Sequence, residues 1–181
     1  MATYAALLRA VNLGARNRVA MADLRALVEE LGGKDVRSYV QSGNVVFRHP
    51  VGAAKLEEAL EQAIAREFGL QITVVVRSAA QLARVVQANP FDPAGLYVSF
   101  LASAPRRAAV RELVEADHGP DRIAVKGKEV YLSLPGGYGQ SRLNNAFLER
   151  KLGVRATLRN WRTVTAVTEL AGGGRAVESG P

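Results

Sequence analysis

The nine residues Tyr39-Val40-Gln41-Ser42-Gly43-Asn44-Val45-Val46-Phe47 are the most informative segment of this sequence for its fold. Aromatic and β-branched residues stand on both sides of a short polar segment, as in two strands joined by a turn. Gly43 can adopt the positive φ that a tight hairpin turn requires. The stretch therefore predicts a β-hairpin.

Helical and extended patterns alternate outward from this hairpin. On its N-terminal side, residues 3–11 predict a strand, and the helix that follows ends at Gly32-Gly33. On its C-terminal side, a long amphipathic helix ends at Gly69. A β-branched strand over residues 72–76 then leads to a short helix that Ser78 can cap. The first half thus has the element order β-α-β-β-α-β-α.

The second half repeats this order after residues 89–93, where two prolines stop the preceding helix. Its clearest elements are a strand over residues 96–101, a hairpin at Lys126-Gly127-Lys128-Glu129 and a helix that Ser141 can cap. Because β-α-β-β-α-β is the ferredoxin-like pattern, the sequence predicts an α+β fold of two ferredoxin-like units in tandem, each followed by an extra helix. The predicted domains are residues 1–90 and 91–171, with a flexible tail over 172–181.

The composition excludes several classes of site. The 181 residues include no cysteine and only two histidines, His49 and His118. Disulfides, iron–sulfur clusters, thiolate zinc and multi-histidine metal sites are therefore excluded, and no cofactor is predicted. The N-terminus lacks a basic leader, and no apolar run approaches the roughly 20 residues that span a bilayer. We expect a cytoplasmic protein without a membrane partner.

The positive charge is concentrated in the second half. The formal net charge is +7. Residues 122–162 hold nine lysines and arginines against two acidic residues, Glu129 and Glu149. A one-sided positive field attracts anionic partners, although a solvated basic surface has the same composition.

Three signatures resemble one known family. The first is Leu8-Arg9-Ala10-Val11-Asn12-Leu13-Gly14 with Asn17, Val19, Met21 and Leu24-Arg25, and the second is the nine residues from Tyr39 to Phe47. The third is Tyr138-Gly139, Ser141-Arg142 and Lys151-Leu152-Gly153 with the segment from Ala156 to Trp161. Together they resemble the bacterial family catalogued as domain of unknown function 1697. The resemblance covers nearly the whole chain and implies two ferredoxin-like subdomains, but no activity, cofactor or catalytic residue. Ala15 and Arg142 stand where the family pattern leads us to expect glycine and lysine.

A first candidate binding site lies where the loop after the first strand meets the hairpin. Right-handed crossovers place both segments at one end of the first sheet. The site combines a guanidinium, amides and a hydroxyl, which can hold a carboxylate, a phosphate or a base edge. The alternative is that these side chains only bond their own turns. The residues are Arg9, Asn12, Asn17, Gln41, Ser42 and Asn44.

A second candidate site combines the glycine-rich loop at residues 135–140 with the segment after the last strand. The topology places both at one end of the second sheet. Loop N–H groups and a helix N-terminus can face an anion, and Arg142 and Arg159 are expected to close on it together. The alternative is a plain connection with surface arginines. The residues are Tyr138, Ser141, Arg142, Arg159, Asn160 and Trp161.

The sequence favours a binding protein for a small anionic or polar ligand and leaves open whether it is an enzyme. Catalysis by His49 or His118 has little support, because both are expected in exposed turns. Glu57, Glu58 and Glu61 are expected to be solvated on a helix face.

Two other functions stay open, as does the oligomeric state. One is nucleic-acid binding, since RNA-recognition modules share this strand order and stack bases on sheet aromatics. The basic-aromatic RNA motif is absent, and most of the aromatics are expected in the core. The other is a protein-interaction module whose sheets pair across subunits. The aromatics concerned are Tyr4, Phe47, Tyr97, Phe100 and Tyr131.

Overall fold

The computed structural model of the protein describes residues 1–175. The chain forms two compact units. Unit 1 consists of Met1–Val86 and the C-terminal segment from Thr165, whereas unit 2 consists of Gln87–Val164. Of the predicted tail, residues 176–181 lie outside the described residues.

Unit 1 contains a four-stranded sheet with the strand order β2-β3-β1-β4. All neighbouring strands in it are antiparallel. The elements are β1 (Ala2–Leu8), α1 (Met21–Glu30), β2 (Lys34–Tyr39), β3 (Asn44–His49), α2 (Ala53–Phe68), β4 (Val74–Ser78) and α3 (Ala79–Gln87).

Unit 2 has the same arrangement, with the strand order β6-β7-β5-β8 and antiparallel neighbours. A short 3-10 helix, Tyr138–Gln140, precedes α5. The other elements are β5 (Leu96–Leu101), α4 (Arg107–Glu115), β6 (Arg122–Lys126), β7 (Glu129–Ser133), α5 (Asn145–Leu152) and β8 (Ala156–Asn160). The last helix, α6 (Trp161–Ala171), begins in unit 2 and belongs to unit 1 from Thr165 onward.

The predicted α+β class and the two similar units are confirmed. Residues 1–175 form two four-stranded antiparallel sheets and six α-helices. Both predicted hairpins are present, because β2 and β3 flank residues 40–43 and β6 and β7 flank Gly127-Lys128. No helix among the described residues is long and apolar enough to cross a membrane.

One face of each sheet packs against the two helices that connect its strands. In unit 1, Leu8 and Phe47 of the sheet pack with Leu24 of α1 and Leu60 and Ile64 of α2. These apolar side chains recur at period two in the strands and at helical spacing in the helices, so each element buries one face. The corresponding core of unit 2 is formed by Leu101, Leu113, Val130, Leu132, Leu148 and Leu152.

The end of α6 is fastened within unit 1. Arg37 of β2 donates hydrogen bonds from Nη2 to the carbonyl oxygen of Leu170 (2.9 Å) and from Nη1 to that of Gly174 (3.0 Å). Leu170 lies in the last turn of α6 and Gly174 lies just beyond it, where carbonyl oxygens have no amide of a following helical turn, so the guanidinium satisfies them well. The segment from Thr165 therefore groups with unit 1, whereas the sequence-based limits assign residues 91–171 to the second domain.

Two local predictions were wrong. Helix α5 begins at Asn145, and Asn144 caps it by accepting a hydrogen bond from the Phe147 amide (2.9 Å), so Ser141 is not the cap. Glu57 and Glu61 are half-buried rather than solvated. Their carboxylates accept hydrogen bonds from the amides of Val76 (2.8 Å) and Val74 (3.0 Å) in the edge strand β4.

Candidate functional site

The loop after β1 is fastened to the β2–β3 turn by the side chain of Asn12. Its Nδ2 donates hydrogen bonds to the carbonyl oxygens of Gln41 (2.7 Å) and Val19 (2.8 Å), while Oδ1 accepts one from the Val19 amide (2.9 Å). The two segments meet at one end of the sheet, as the topology predicts. We call residues 9–19 and 40–43 the Asn12 clamp.

The other amides of this predicted site also bond to nearby groups of the protein. Asn17 donates to the carbonyl oxygen of Ala10 (3.1 Å). Asn44 is completely buried and donates to the Tyr39 carbonyl (3.1 Å) and to the Ser42 hydroxyl (2.9 Å). The donors of Asn12, Asn17 and Asn44 therefore hold the turns, which is the alternative that the sequence left open. Arg9 is half-buried and Gln41 is exposed at the same end of the unit.

The backbone of the Asn12 clamp is strained. Among the described residues, five other than glycine have positive φ, and four lie in the clamp: Ala10 (52°), Asn12 (55°), Asn17 (50°) and Val40 (49°). Asparagine tolerates this conformation, whereas it costs most other L-residues about 1–2 kcal/mol each, and a β-branched residue such as Val40 is an outlier there. Strain of this kind persists only where the surrounding structure imposes it, and it clusters at functional sites.

Unit 2 contains a cleft of about 570 Å³. It is lined by the turn at residues 116–121, by residues 136–137 and 140–143, and by Phe147 and Lys151 of α5. We call it the Arg142 cleft. Arg142 and Lys151 are exposed, and Lys151 lies 3.6 Å from the carboxylate of Glu112.

Ser141 ties the two walls of the Arg142 cleft together. Its hydroxyl donates a 2.6 Å hydrogen bond to the carboxylate of Asp121 and accepts one from the Leu143 amide (3.0 Å). Ser141 thus positions Arg142 beside the cleft instead of offering a free hydroxyl to a ligand. A second carboxylate of the cleft, Asp117, accepts a hydrogen bond from the Gly119 amide (2.8 Å).

Arg142 and Arg159 do not face one site. Arg159 pairs across the sheet with Val98, whereas its neighbour Leu158 belongs to the core beneath the helices. Successive side chains of a strand point to opposite faces, so Arg159 lies on the sheet face away from α4 and α5. Arg142 lies on their side, in the loop that leads to α5. The expected joint closure of both guanidinium groups on one anion is therefore not formed.

Arg159 is buried and bonded within its own strand. Its Nη1 donates to the Thr157 hydroxyl (2.7 Å) and to the Leu158 carbonyl (2.9 Å). Burial lowers the pKa of Arg159 to about 10, which leaves the group cationic at neutral pH. Arg159 is therefore a buried cation and does not contribute to a solvent-exposed basic surface of residues 122–162.

The remaining residues of the second predicted site have structural contacts. Asn160 Oδ1 accepts a 2.9 Å hydrogen bond from the Thr163 amide and so caps α6. Tyr138 packs its ring 5.6 Å from that of Tyr97, and its hydroxyl accepts a hydrogen bond from the Asn145 amide (3.3 Å). Trp161 is half-buried at the start of α6.

His49 is buried, not exposed as the sequence suggested. Its Nδ1 accepts a hydrogen bond from the Val51 amide (3.0 Å), so Nε2 carries the proton that is shared with the Leu31 carbonyl (3.1 Å). The ring therefore fixes the β3–α2 connection. His118 is half-buried, lines the Arg142 cleft, and places Nε2 at 2.6 Å from the Leu113 carbonyl.

The sheet aromatics give no exposed stacking surface within residues 1–175. Tyr4 and Phe47 pack into the core beneath the helices of unit 1, and Tyr97 does the same in unit 2. Phe100 and Tyr131 are buried. Burial, and to a smaller extent the Glu129 carboxylate, raise the pKa of Tyr131 to about 12.

Sequence reasoning missed the acidic wall of the Arg142 cleft. Its two carboxylates belong to the turn Asp117-His118-Gly119-Pro120-Asp121, which precedes β6. The start of β6 pairs with the end of β7, after which the glycine-rich loop begins. The same topological argument that grouped the loops would have placed this turn beside the glycine-rich loop. Among residues 1–175, no group of three or more metal-ligating side chains is present.

A larger groove of about 760 Å³ lies in unit 1 beside β2 and the end of α6. Both arginines of this groove are engaged, because Arg37 bonds the carbonyl oxygens of Leu170 and Gly174 and Arg48 pairs with Asp35 at 3.1 Å, whereas the Arg142 cleft has the exposed Arg142 in addition to the paired Lys151. The Arg142 cleft is therefore the better candidate for a charged ligand.

Comparisons with known proteins agree with this fold. The chain is similar to the solved structure of SP0830, a conserved bacterial protein from Streptococcus pneumoniae, with a TM-score of 0.76 and 23% sequence identity. The similarity covers 94% of this chain and 98% of the other. At this identity it shows the fold alone. The comparison with curated proteins gives no match.

The family signature in the sequence is also confirmed. The family described as "Protein of unknown function (DUF1697)" matches residues 1–131, a span that contains two of the three signatures. The third signature, at residues 138–161, lies beyond the match. Because the match covers well over half of the sequence, the chain belongs to the DUF1697 family.

Proposed function

We propose that the protein binds a small ligand with an anionic group, and that the Arg142 cleft is the binding site. One observation carries the proposal: the exposed cations Arg142 and Lys151 line a cleft that also contains apolar Leu143 and Phe147. Its volume of about 570 Å³ falls within the roughly 300–1,000 Å³ of small-molecule sites.

The two carboxylates of the cleft narrow the class of ligand. Asp117 and Asp121 each already accept one hydrogen bond from the protein, and their remaining lone pairs suit a hydroxyl or an amine of a ligand. Two cations and two carboxylates in one cleft suit a small polar molecule with one anionic group better than a polyanion. This favours the small-ligand function over nucleic-acid binding.

The test is a thermal-shift screen of the wild-type protein against nucleotides, sugar phosphates, small carboxylates and short RNA. A ligand at a hundredfold its Kd adds about 2.7 kcal/mol of stability, which is visible as a rise in Tm. We expect Arg142→Ala to remove the shift, and Arg107→Ala on α4, an exposed arginine outside the cleft, to retain it.

Two results would contradict this function. One is a small anion that stabilises wild type and Arg142→Ala equally, which would place binding elsewhere. The other is stabilisation by RNA alone that disappears with added salt, which would favour the nucleic-acid alternative.

We also propose that each unit is a ferredoxin-like domain and that the protein is cytoplasmic. The first proposal is supported by the β-α-β-β-α-β order together with the strand order β2-β3-β1-β4 and its repeat β6-β7-β5-β8. Superposition of each unit on solved ferredoxin-like domains, with comparison of the angles between helices and sheet, would test it. The second is carried over from the sequence expectation and is tested by cell fractionation.

A further inference from the structure

The Asn12 clamp presents two apolar side chains to solvent. Leu13 is 68% exposed and Val40 is 52% exposed, and together with Met1 they are the most exposed large apolar residues of the described chain. Asn12 and Gln41 are joined by the 2.7 Å hydrogen bond. Leu13 follows Asn12 in the chain, and Val40 precedes Gln41. The clamp therefore holds the two exposed side chains on neighbouring segments at one end of unit 1.

The loop that contains Leu13 is positively charged. Arg16 and Arg18 are exposed on the same loop. Residues 1–22 contain no acidic residue, and neither do residues 36–48 around the hairpin turn. The first acidic residue after the loop is Asp23, in the first turn of α1. The end of unit 1 is thus both apolar and basic.

Neither backbone conformation nor burial explains valine at position 40. Its φ is 49°, a left-handed conformation in which a β-branched residue is an outlier and asparagine or glycine is comfortable. Its side chain gains little from packing, since about half of it is exposed. A valine that is unfavourable for the backbone and unused by the core is explained if its side chain contacts something outside this chain.

We propose that Leu13, Val40, Arg16 and Arg18 bind an acidic segment of a partner protein that carries an apolar side chain. The apolar side chain would cover Leu13 and Val40, and the flanking carboxylates would meet the two arginines. Charge complementarity selects this partner, because no acidic side chain of residues 1–22 or 36–48 competes for the arginines. This inference is independent of the Arg142 cleft, which lies in unit 2.

The test uses fluorescence anisotropy with three labelled short peptides. The first has glutamates flanking two central leucines, the second replaces the leucines with serine, and the third replaces the glutamates with serine. We expect the first peptide to bind at least about tenfold more tightly than either of the others, since apolar anchor and charge act together. Equal binding of all three peptides, or binding of none, would overturn the proposal.

Variants locate the surface. Leu13→Ser and the double variant Arg16→Ser with Arg18→Ser are each expected to weaken binding of the first peptide by about tenfold. The matched control is Val114→Ser with Arg111→Ser on α4, an exposed valine and arginine of unit 2, which should leave binding unchanged. Equal weakening by the control pair would show unspecific binding and reject the site.

Val40→Asn separates binding from folding. Asparagine tolerates the positive φ and removes the apolar side chain, so we expect an unchanged or higher Tm together with about tenfold weaker peptide binding. A lower Tm with unchanged peptide binding would show that the valine is structural and would overturn the proposal. Sedimentation of wild type completes the test, because a dimer that Leu13→Ser dissociates would assign the surface to a second copy instead of an acidic peptide.

Discussion

The two units differ most in the connections that leave their first and third strands. In unit 1, 12 residues (9–20) connect β1 to α1, and only three (50–52) connect β3 to α2. In unit 2, five residues (102–106) connect β5 to α4, and 11 (134–144) connect β7 to α5. Within each sheet the first and third strands are antiparallel, so the connections that leave them lie at opposite ends of that sheet. The long connection follows the first strand in unit 1 and the third strand in unit 2. The two units therefore share one strand order but have their longest connection at different ends of the sheet.

The frame itself is repeated in detail. Ala5 pairs with Val46 and Arg77 on its two sides, and Val98 pairs in the same way with Tyr131 and Arg159. Arg77 and Arg159 are both buried at the corresponding position of the last strand. The two units therefore share this register and a buried arginine at the same place in the last strand.

The helix ends are repeated as well. Gly69 and Gly153 end α2 and α5 with almost the same left-handed dihedrals, φ 66° and ψ 23° against φ 67° and ψ 25°. This conformation is easy for glycine and satisfies the last helical carbonyls. The register around Ala5 and Val98 and the glycine ends of α2 and α5 are thus common to both units, whereas the hairpin turns and connections are not.

The two units also differ in how closely the glycine of the hairpin turn is packed. A Cβ at Gly43 would lie 2.5 Å from Val11 Cγ2 and 2.8 Å from Leu8 Cβ, whereas one at Gly127 would have nothing within 4 Å. Both glycines have positive φ. We expect Gly43→Ala to lower the free energy of unfolding by about 3 kcal/mol, from overpacking plus backbone strain, and Gly127→Ala by about 1 kcal/mol, from strain alone.

Urea unfolding followed by circular dichroism measures both effects. Equal losses for the two variants would mean that the β1 loop relaxes around the new methyl group. The close packing of the Gly43 turn against Leu8 and Val11 would then not be what holds the Asn12 clamp.

The edge strands give a smaller, shared effect. Glu61 accepts a hydrogen bond from the Val74 amide in β4 (3.0 Å), and Glu149 accepts one from the Ala156 amide in β8 (2.9 Å). Each carboxylate covers an outward N–H at the start of an edge strand, where an unpaired group invites pairing with another chain. We expect Glu61→Ala and Glu149→Ala each to lower the free energy of unfolding by about 1–2 kcal/mol.

The same unfolding measurement compares these variants with two controls. Glu58→Ala removes an exposed glutamate of α2 that does not contact the strand, and it should change stability little. Glu61→Gln keeps an acceptor oxygen and should recover most of the loss. If Glu58→Ala costs as much as Glu61→Ala, the effect comes from helix propensity or general charge and not from the strand edge.

Element order, both hairpins and the meeting of the Asn12 loop with the Gln41 turn could be predicted, because periodicity and crossover handedness depend on local sequence and topology. The role of individual polar side chains could not. Asn12, Asn44 and Ser141 look like ligand-binding residues in a sequence, but each satisfies nearby groups of the protein once the chain folds. For Arg159, the prediction did not take account of the alternation of side chains between the two faces of a strand. Its pairing with Val98 places it on the sheet face opposite to that of Leu158.

In both units the last strand leads directly into a capped helix. Ser78 Oγ accepts a hydrogen bond from the Gln81 amide (3.2 Å), and Gln81 Oε1 accepts one from the Ser78 amide (2.8 Å), a reciprocal capping box. Asn160 caps α6 alone, through the Thr163 amide. We expect Asn160→Ala and Ser78→Ala each to cost about 1 kcal/mol of stability.

The variant Asn160→Ala also distinguishes the ligand contact that the sequence predicted from the helix cap that the structure shows. If Asn160 is a cap, Asn160→Ala lowers the Tm but leaves anion binding in the Arg142 cleft unchanged, and Asn160→Asp, another good cap, restores the Tm. Thermal unfolding with and without the anion found in the screen measures both quantities. Loss of the anion-induced shift in Asn160→Ala, with the Tm of the free protein unchanged, would instead make Asn160 a ligand contact, and the site would then have to reach beyond the residues that line the cleft.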